Sequence, residues 1–270
     1  MTRLRMIPRR LAALVAVTAM LAVPAAAKAQ TVNAAEAATS SNWAGYVASG
    51  NTFSSVSGTW VVPRAKSDTE GYEATWVGLG GADESAGALE QVGTESDDVN
   101  GHATYSAWYE LVPKAPVTLK LSVHPGDRMT AKVAVNGTTV VVSISNATTG
   151  KSVTKTLHMT SPDTSSAEWV AEAPSVQTGD GNYQVVPLAD FGKVTFASAT
   201  ASTTDGHTGT ISDSAWTSER VDLVSSDGGF GGGFHGGRGM GRRELTSGEA
   251  TTSSLTGSGS RFSVTWNQTT

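Results

Sequence analysis

The sequence predicts an all-β chain, an antiparallel β-sandwich of two sheets. Three observations predict it. From Ser41 onward Thr, Ser, Val and Gly dominate, and no stretch shows the apolar period of an amphipathic helix. Short runs rich in β-branched and aromatic residues recur with turn residues between them. Strands that follow one another without intervening helices pack as sheet on sheet, not as βαβ units.

The elements follow in order. The stretch 56–62 carries Trp60, and 74–79 carries Trp76. The stretch 89–94 follows a Gly/Ala/Ser turn, and 105–112 carries Trp108 and Glu110. In 117–123, Val117, Leu119, Leu121 and Val123 alternate with polar residues, as a half-buried strand requires. Pro125-Gly126-Asp127 is a turn. The stretches 129–135 and 138–145 flank Asn136-Gly137, a strong hairpin signal. A strand over 152–158 follows Thr149-Gly150. The stretch 168–171 ends at Ala173-Pro174, because proline cannot donate to a ladder. Strands over 194–197, 216–224 and 262–266 complete the set. The low-complexity stretch 228–243 (GGFGGGFHGGRGMGRR) reads as a solvated loop insertion between two of them.

The N-terminus reads as a signal peptide over residues 1–29. Arg3, Arg5, Arg9 and Arg10 precede an apolar run over 11–23, and Ala25-Ala26-Ala27 and Ala27-Lys28-Ala29 both offer small-x-small cleavage sites. The run is too short to span a bilayer comfortably. An exported protein is therefore expected, with a short leader or propeptide remnant over 30–40 and one domain over 41–270. The chain has 19 basic and 24 acidic residues; five of the basic ones lie in 1–29, which leaves 14 against 24. That balance disfavours nucleic acid and anionic membranes as partners. A monomer is expected. There is no cysteine. Thiol catalysis, thiolate zinc sites and disulfides are therefore excluded, and the core alone must hold the fold.

Two short segments carry polar groups where a strand normally hides apolar ones: Leu89-Glu90-Gln91-Val92-Gly93-Thr94-Glu95 and Ala167-Glu168-Trp169-Val170-Ala171-Glu172. Side chains alternate along a strand. Leu89, Gln91 and Gly93 therefore share a face, as do Trp108 and Glu110, and as do Glu168, Val170 and Glu172. A concave face holding Gln91, Glu110, Glu172 and an indole such as Trp76 or Trp108 makes a cleft whose apolar walls raise a carboxyl pKa. The alternative is a set of solvent-facing strand residues; tryptophans interleaved with acids favour a cleft for an extended polymer. Other catalytic patterns are absent. No G-x-S-x-G occurs. No H-E-x-x-H occurs, and His102, His124, His158, His207 and His235 are scattered. Asp83-Glu84 and Asp97-Asp98 lack EF-hand spacing, so no metal centre is expected. A non-local Ser/His/Asp triad stays open, because triads are geometric. Three glycosylation sequons begin at Asn136, Asn146 and Asn267.

The motifs resemble the glutamic peptidase family, the eqolisins, in a bacterial-type secreted form. Ser41-Asn42-Trp43-Ala44-Gly45-Tyr46 is similar to the start of the family's mature domain. Thr75-Trp76-Val77-Gly78-Leu79-Gly80-Gly81 matches its Trp-Val-Gly element, Leu89–Thr94 its glutamine strand, and Ala107-Trp108-Tyr109-Glu110 its Trp-Tyr-Glu element. Ala167–Glu172 matches its glutamate strand, and Pro187-Leu188-Ala189-Asp190-Phe191-Gly192 is similar to bacterial members. The resemblance implies a concanavalin-like sandwich and endopeptidase activity in acid, without metal or cofactor, on polypeptide substrates. It places the family's glutamine on Gln91 and its catalytic glutamate on Glu172. It also puts Trp76 and Glu110 on the cleft; Trp108 and Glu168 are expected to bind substrate beside them. Gly80 and Ser106 stand where fungal members carry Asp, which bears on subsite preference.

The implied mechanism makes Glu172 a general base toward water, then a general acid toward the leaving amine. Gln91 orients the water and donates to the oxyanion. Rival readings are a carbohydrate-binding sandwich, a glycoside hydrolase using two spaced carboxylates, and an inactive relative that serves in interactions.

Overall fold

The computed structural model describes residues 37–66, 70–83, 87–177, 183–225 and 248–269. The expected signal peptide and the 228–243 insertion lie outside them. Among the described residues there are nineteen strands and no helix. The first seven are β1 (Ala38–Ser40), β2 (Trp43–Ser49), β3 (Phe53–Val61), β4 (Glu70–Gly71), β5 (Ala74–Gly80), β6 (Leu89–Val99) and β7 (His102–Val112). The next six are β8 (Val117–Thr118), β9 (Arg128–Asn136), β10 (Thr139–Asn146), β11 (Lys151–His158), β12 (Ser166–Glu172) and β13 (Ser175–Gln177). The last six are β14 (Tyr183–Val185), β15 (Lys193–Thr203), β16 (Thr208–Thr210), β17 (Thr217–Leu223), β18 (Glu249–Thr252) and β19 (Phe262–Gln268).

Two ladders organise the fold. One runs β8-β7-β6-β5-β12-β2-β17 and continues through β18 and β19 to the first residues of β15. The other runs β11-β10-β9-β3-β15-β16. β15 serves both. Lys193–Phe196 pair with β19, and the strand from Ala197 on pairs with β3. The change falls at a register shift between Ala197 and Thr200, where Ser198 takes a φ of 51°. Such a bulge turns a strand and hands it to the other ladder.

The structure changes several expectations. Among the described strands the pairing is antiparallel except for β1, which runs parallel to β17 and sets Ala38 opposite Val221; an isolated bridge between Tyr72 and Leu188 is also parallel. β1 thus lies inside the stretch expected as leader. Only Val117–Thr118 of the expected 117–123 strand joins a ladder, yet Leu119, Leu121 and Val123 are all buried. The alternation there recorded burial without a continuous ladder, although the Leu119 N–H still donates to the Ala107 carbonyl at 2.7 Å. β2 was not anticipated, because it is buried on both faces and its small residues show no alternation. The sequon residue Asn146 is fully buried and donates to Asp127 at 2.8 Å.

Both ladders feed one core. Tyr46, Val77, Leu79, Val92, Ala107 and Trp169 come from the first; Val56, Trp60, Met129, Val133, Val142 and Ile144 come from the second. Two indoles tie the ladders through it. Trp169 Nε1 donates to the Ser57 carbonyl at 2.8 Å, and Trp60 Nε1 donates to Thr94 Oγ1 at 3.0 Å. These bonds anchor β12 and β6 from behind. The opposite face of the first ladder carries its own apolar cluster of Trp43, Ala74, Trp76, Leu89, Trp108 and Val170.

Candidate active site

Residues opposite each other in a ladder share a face. Across β12, β5, β6 and β7 three alternate rungs point the same way. The first holds Glu168, Gly78, Gln91 and Glu110. The second holds Val170, Trp76, Gly93 and Trp108. The third holds Glu172, Ala74, Glu95 and Ser106. All six residues singled out in the sequence therefore lie on one face of four adjacent strands. Two glycines make room for the central indole. A Cβ on Gly78 would fall 2.9 Å from Trp76 Cζ3, and one on Gly93 would fall 2.4 Å from the Thr75 carbonyl oxygen.

Glu172 ends β12 and stays partly open to solvent. Its Oε2 accepts from Trp76 Nε1 at 2.7 Å and its Oε1 from Asn42 Nδ2 at 3.0 Å. Trp76 is itself fixed edge-on against Trp43, with ring centroids 5.1 Å apart. Burial pushes the Glu172 carboxyl up to about 8; the Trp76 donor opposes this and the nearby Glu110 charge reinforces it. Gln91 is 4% exposed, and its Nε2 donates to Glu110 Oε2 at 2.6 Å. Burial pushes Glu110 up to about 7, against the Gln91 donor and with help from the charge of Glu95. The site thus has two hydrogen-bonded halves, Glu172 with Trp76 and Asn42, and Gln91 with Glu110, linked through the mutual repulsion of the two carboxyls.

Two residues expected to bind substrate are fully buried. Glu168 shares the face but has 0% exposure, and burial holds its carboxyl well above the usual range. Trp76 is also fully buried, with its Nε1 donating to Glu172. Trp108 keeps only 5% of its surface, with its Nε1 unpartnered among the described residues. Glu110 remains accessible in part.

Two site residues had not been assigned a role from the sequence. Asn42 sits in the 41–46 motif, which carried the resemblance but named no function for it. Glu95 closes the quoted glutamine segment and has the same parity as Gln91; extending that strand beyond Thr94 would have found it. It accepts from Ser106 Oγ at 3.0 Å. Among the described residues no three His, Asp or Glu side chains converge to hold a metal ion.

The model of the Peptidase A4 family matches residues 41–228, a span that contains every residue of this site. The chain belongs to the Peptidase A4 family. Scytalidopepsin B of Scytalidium lignicola is 31% identical over 192 residues, covering 69% of this chain and 72% of the relative. Aspergillopepsin-2 of Aspergillus niger is 32% identical over 187 residues, covering 60% and 64%. Scytalido-glutamic peptidase, solved with a peptide-based transition-state analogue, shares the fold: its TM-score is 0.66 at 24% identity over 84% of this chain and 98% of that one. Aspergilloglutamic peptidase from Aspergillus niger gives a TM-score of 0.53 at 27% identity over 73% and 99%. This A4 chain is a glutamic peptidase, which sets the glycan-directed readings aside.

Proposed function

We propose that this peptidase is a secreted, bacterial-type acid endopeptidase on a concanavalin-like sandwich of two sheets, cleaving polypeptides through Glu172 and Gln91. The observation that carries the reading is the fixed carboxyl of Glu172 on the same strand face as the Gln91 carboxamide. Ionised Glu172 takes a proton from a water whose oxygen attacks the peptide carbonyl carbon. The charge passes to the carbonyl oxygen, which a Gln91 N–H stabilises. Glu172 then gives its proton to the amide nitrogen as the C–N bond breaks, leaving a carboxylic acid and an amine. A neutral amide suits this task because a second carboxylate would repel the oxyanion.

The raised pKa bears on both steps. In acid the resting Glu172 carries a proton, so only an ionised fraction acts as base, but a more basic carboxylate is a stronger proton acceptor. The same carboxyl, once protonated, is a ready donor to nitrogen. The test is digestion of a denatured protein by the processed wild type and by Glu172→Gln from pH 2 to 7. Acid cleavage is expected to fall by about 10²–10⁴-fold in a folded variant, the usual worth of a general acid–base group. Wild-type rates from Glu172→Gln would overturn the assignment.

A further inference from the structure

We propose that Glu110 is a positioning residue that decides which end of the Gln91 carboxamide faces the scissile peptide. The inference rests on the Gln91/Glu172 reading above. A carboxamide has a donor end and an acceptor end. In the structure the donor end meets Glu110 Oε2, while Gln91 Oε1 is buried without a partner among the described residues. An ionised carboxyl can only accept, so it selects this arrangement. A protonated carboxyl can donate its O–H to Oε1. That satisfies the orphan oxygen and releases the NH₂ end from Glu110, leaving it free to donate to an oxyanion.

The surroundings of Glu110 favour the protonated form in acid. Glu95 of β6 adds its charge, and Glu110 in turn acts on Glu172 of β12. Glu168 of β12 lies on the same rung beyond Gly78 and Gln91. Among the described residues the ion pairs, His124 with Asp127 and His207 with Asp213, lie elsewhere, and none of them holds Glu110 ionised. Burial and Glu95 bring its carboxyl up to about 7. Glu110 thereby places a limit on activity as pH rises toward neutrality, whereas Glu172, as base, sets the limit on the acid side.

The test measures kcat and KM against pH for wild type, Glu110→Gln and Glu110→Leu, with the fold checked by near-UV circular dichroism at each pH. Glu110→Gln can donate to Gln91 Oε1 at every pH, so the neutral-side limb of kcat is expected to move up by about one pH unit or more. Glu110→Leu is expected to lose about tenfold or more in kcat with little change in KM, and Glu110→Gln to rescue it. A Glu110→Gln profile that superimposes on wild type overturns the proposal, and it does so even if Glu110→Leu fails to fold. Glu172→Gln serves as the control. If it is inactive while the Glu110→Gln profile is unmoved, only the role of Glu110 is lost; if it is fully active, the dyad reading itself fails.

Discussion

Among the described residues Glu172 is held by the neutral donors Trp76 and Asn42 and by no ion pair, and this sets its character. A hydrogen bond to a charged group is worth about 1.5–3 kcal/mol. Two such bonds offset part of the desolvation of the carboxylate, but burial wins and the pKa rises. Both donors favour the ionised form. Trp76→Phe keeps the ring and removes the N–H, so the Glu172 pKa should climb further. The low-pH limb of kcat is expected to shift upward, with kcat down about tenfold. A pH–rate profile that kept the wild-type limb would show that the indole serves only as packing. Asn42→Ala should move the same limb in the same direction, because it strips the other oxygen of its donor.

At the scale of the strand, site geometry depends on where β5 and β6 lack side chains. Gly93 faces the cleft between Trp76 and Trp108, and a methyl group there would strike the Thr75 carbonyl, which is backbone and cannot rotate away. Forced overpacking of this kind costs about 1–3 kcal/mol. Gly93→Ala should therefore lower the Tm and, by shifting Trp76 off Glu172, lower kcat as well; thermal melts and initial rates on one preparation check both. A variant with reduced stability and wild-type kcat would separate the glycine from the site. The indole bonds from Trp60 to Thr94 and from Trp169 to Ser57 act from the other face, fixing the two strands that carry Gln91 and Glu172.

At the scale of the whole molecule, buried acids make the fold depend on pH. Glu73, Glu90 and Glu168 each have 0% exposure. Burial pushes Glu73 and Glu90 up to about 8 and Glu168 well above its ordinary value of 4.5. Asp97 rises to about 7 for the same reason, helped by Glu95. A carboxyl whose folded-state pKa is raised contributes stability in full below the unfolded value and loses it as pH climbs through the folded one. Stability should therefore be greatest near pH 4 and fall toward pH 8. One pKa unit corresponds to about 1.4 kcal/mol, and each kcal/mol moves Tm by roughly 2–4 °C in a chain of this size. With several such groups the Tm is expected to drop by more than about 10 °C across that range. Glu73→Gln should flatten the decline. A Tm that rose with pH would contradict the linkage.

Alternation is local, so the shared faces of Leu89 with Gln91, Trp108 with Glu110, and Glu168 with Glu172 were legible in the chain, as were the Asn136-Gly137 hairpin and the all-β class. The 41–46 motif, likewise, already contained Asn42. Register and depth are not local. Which residue stands opposite which depends on the offset between strands far apart in sequence, and only the ladder set Gln91 beside Glu110 with Glu172 two rungs away. Glu168 and Glu172 have the same side chain and the same parity, yet one is sealed within the sheet and the other stays partly open at the strand's end. The sequence by itself determined the residue types and the faces they occupy. Tertiary structure alone decided which acids meet solvent, which are held by a donor, and which are desolvated, because burial is a property of neighbours that the chain brings together only by folding.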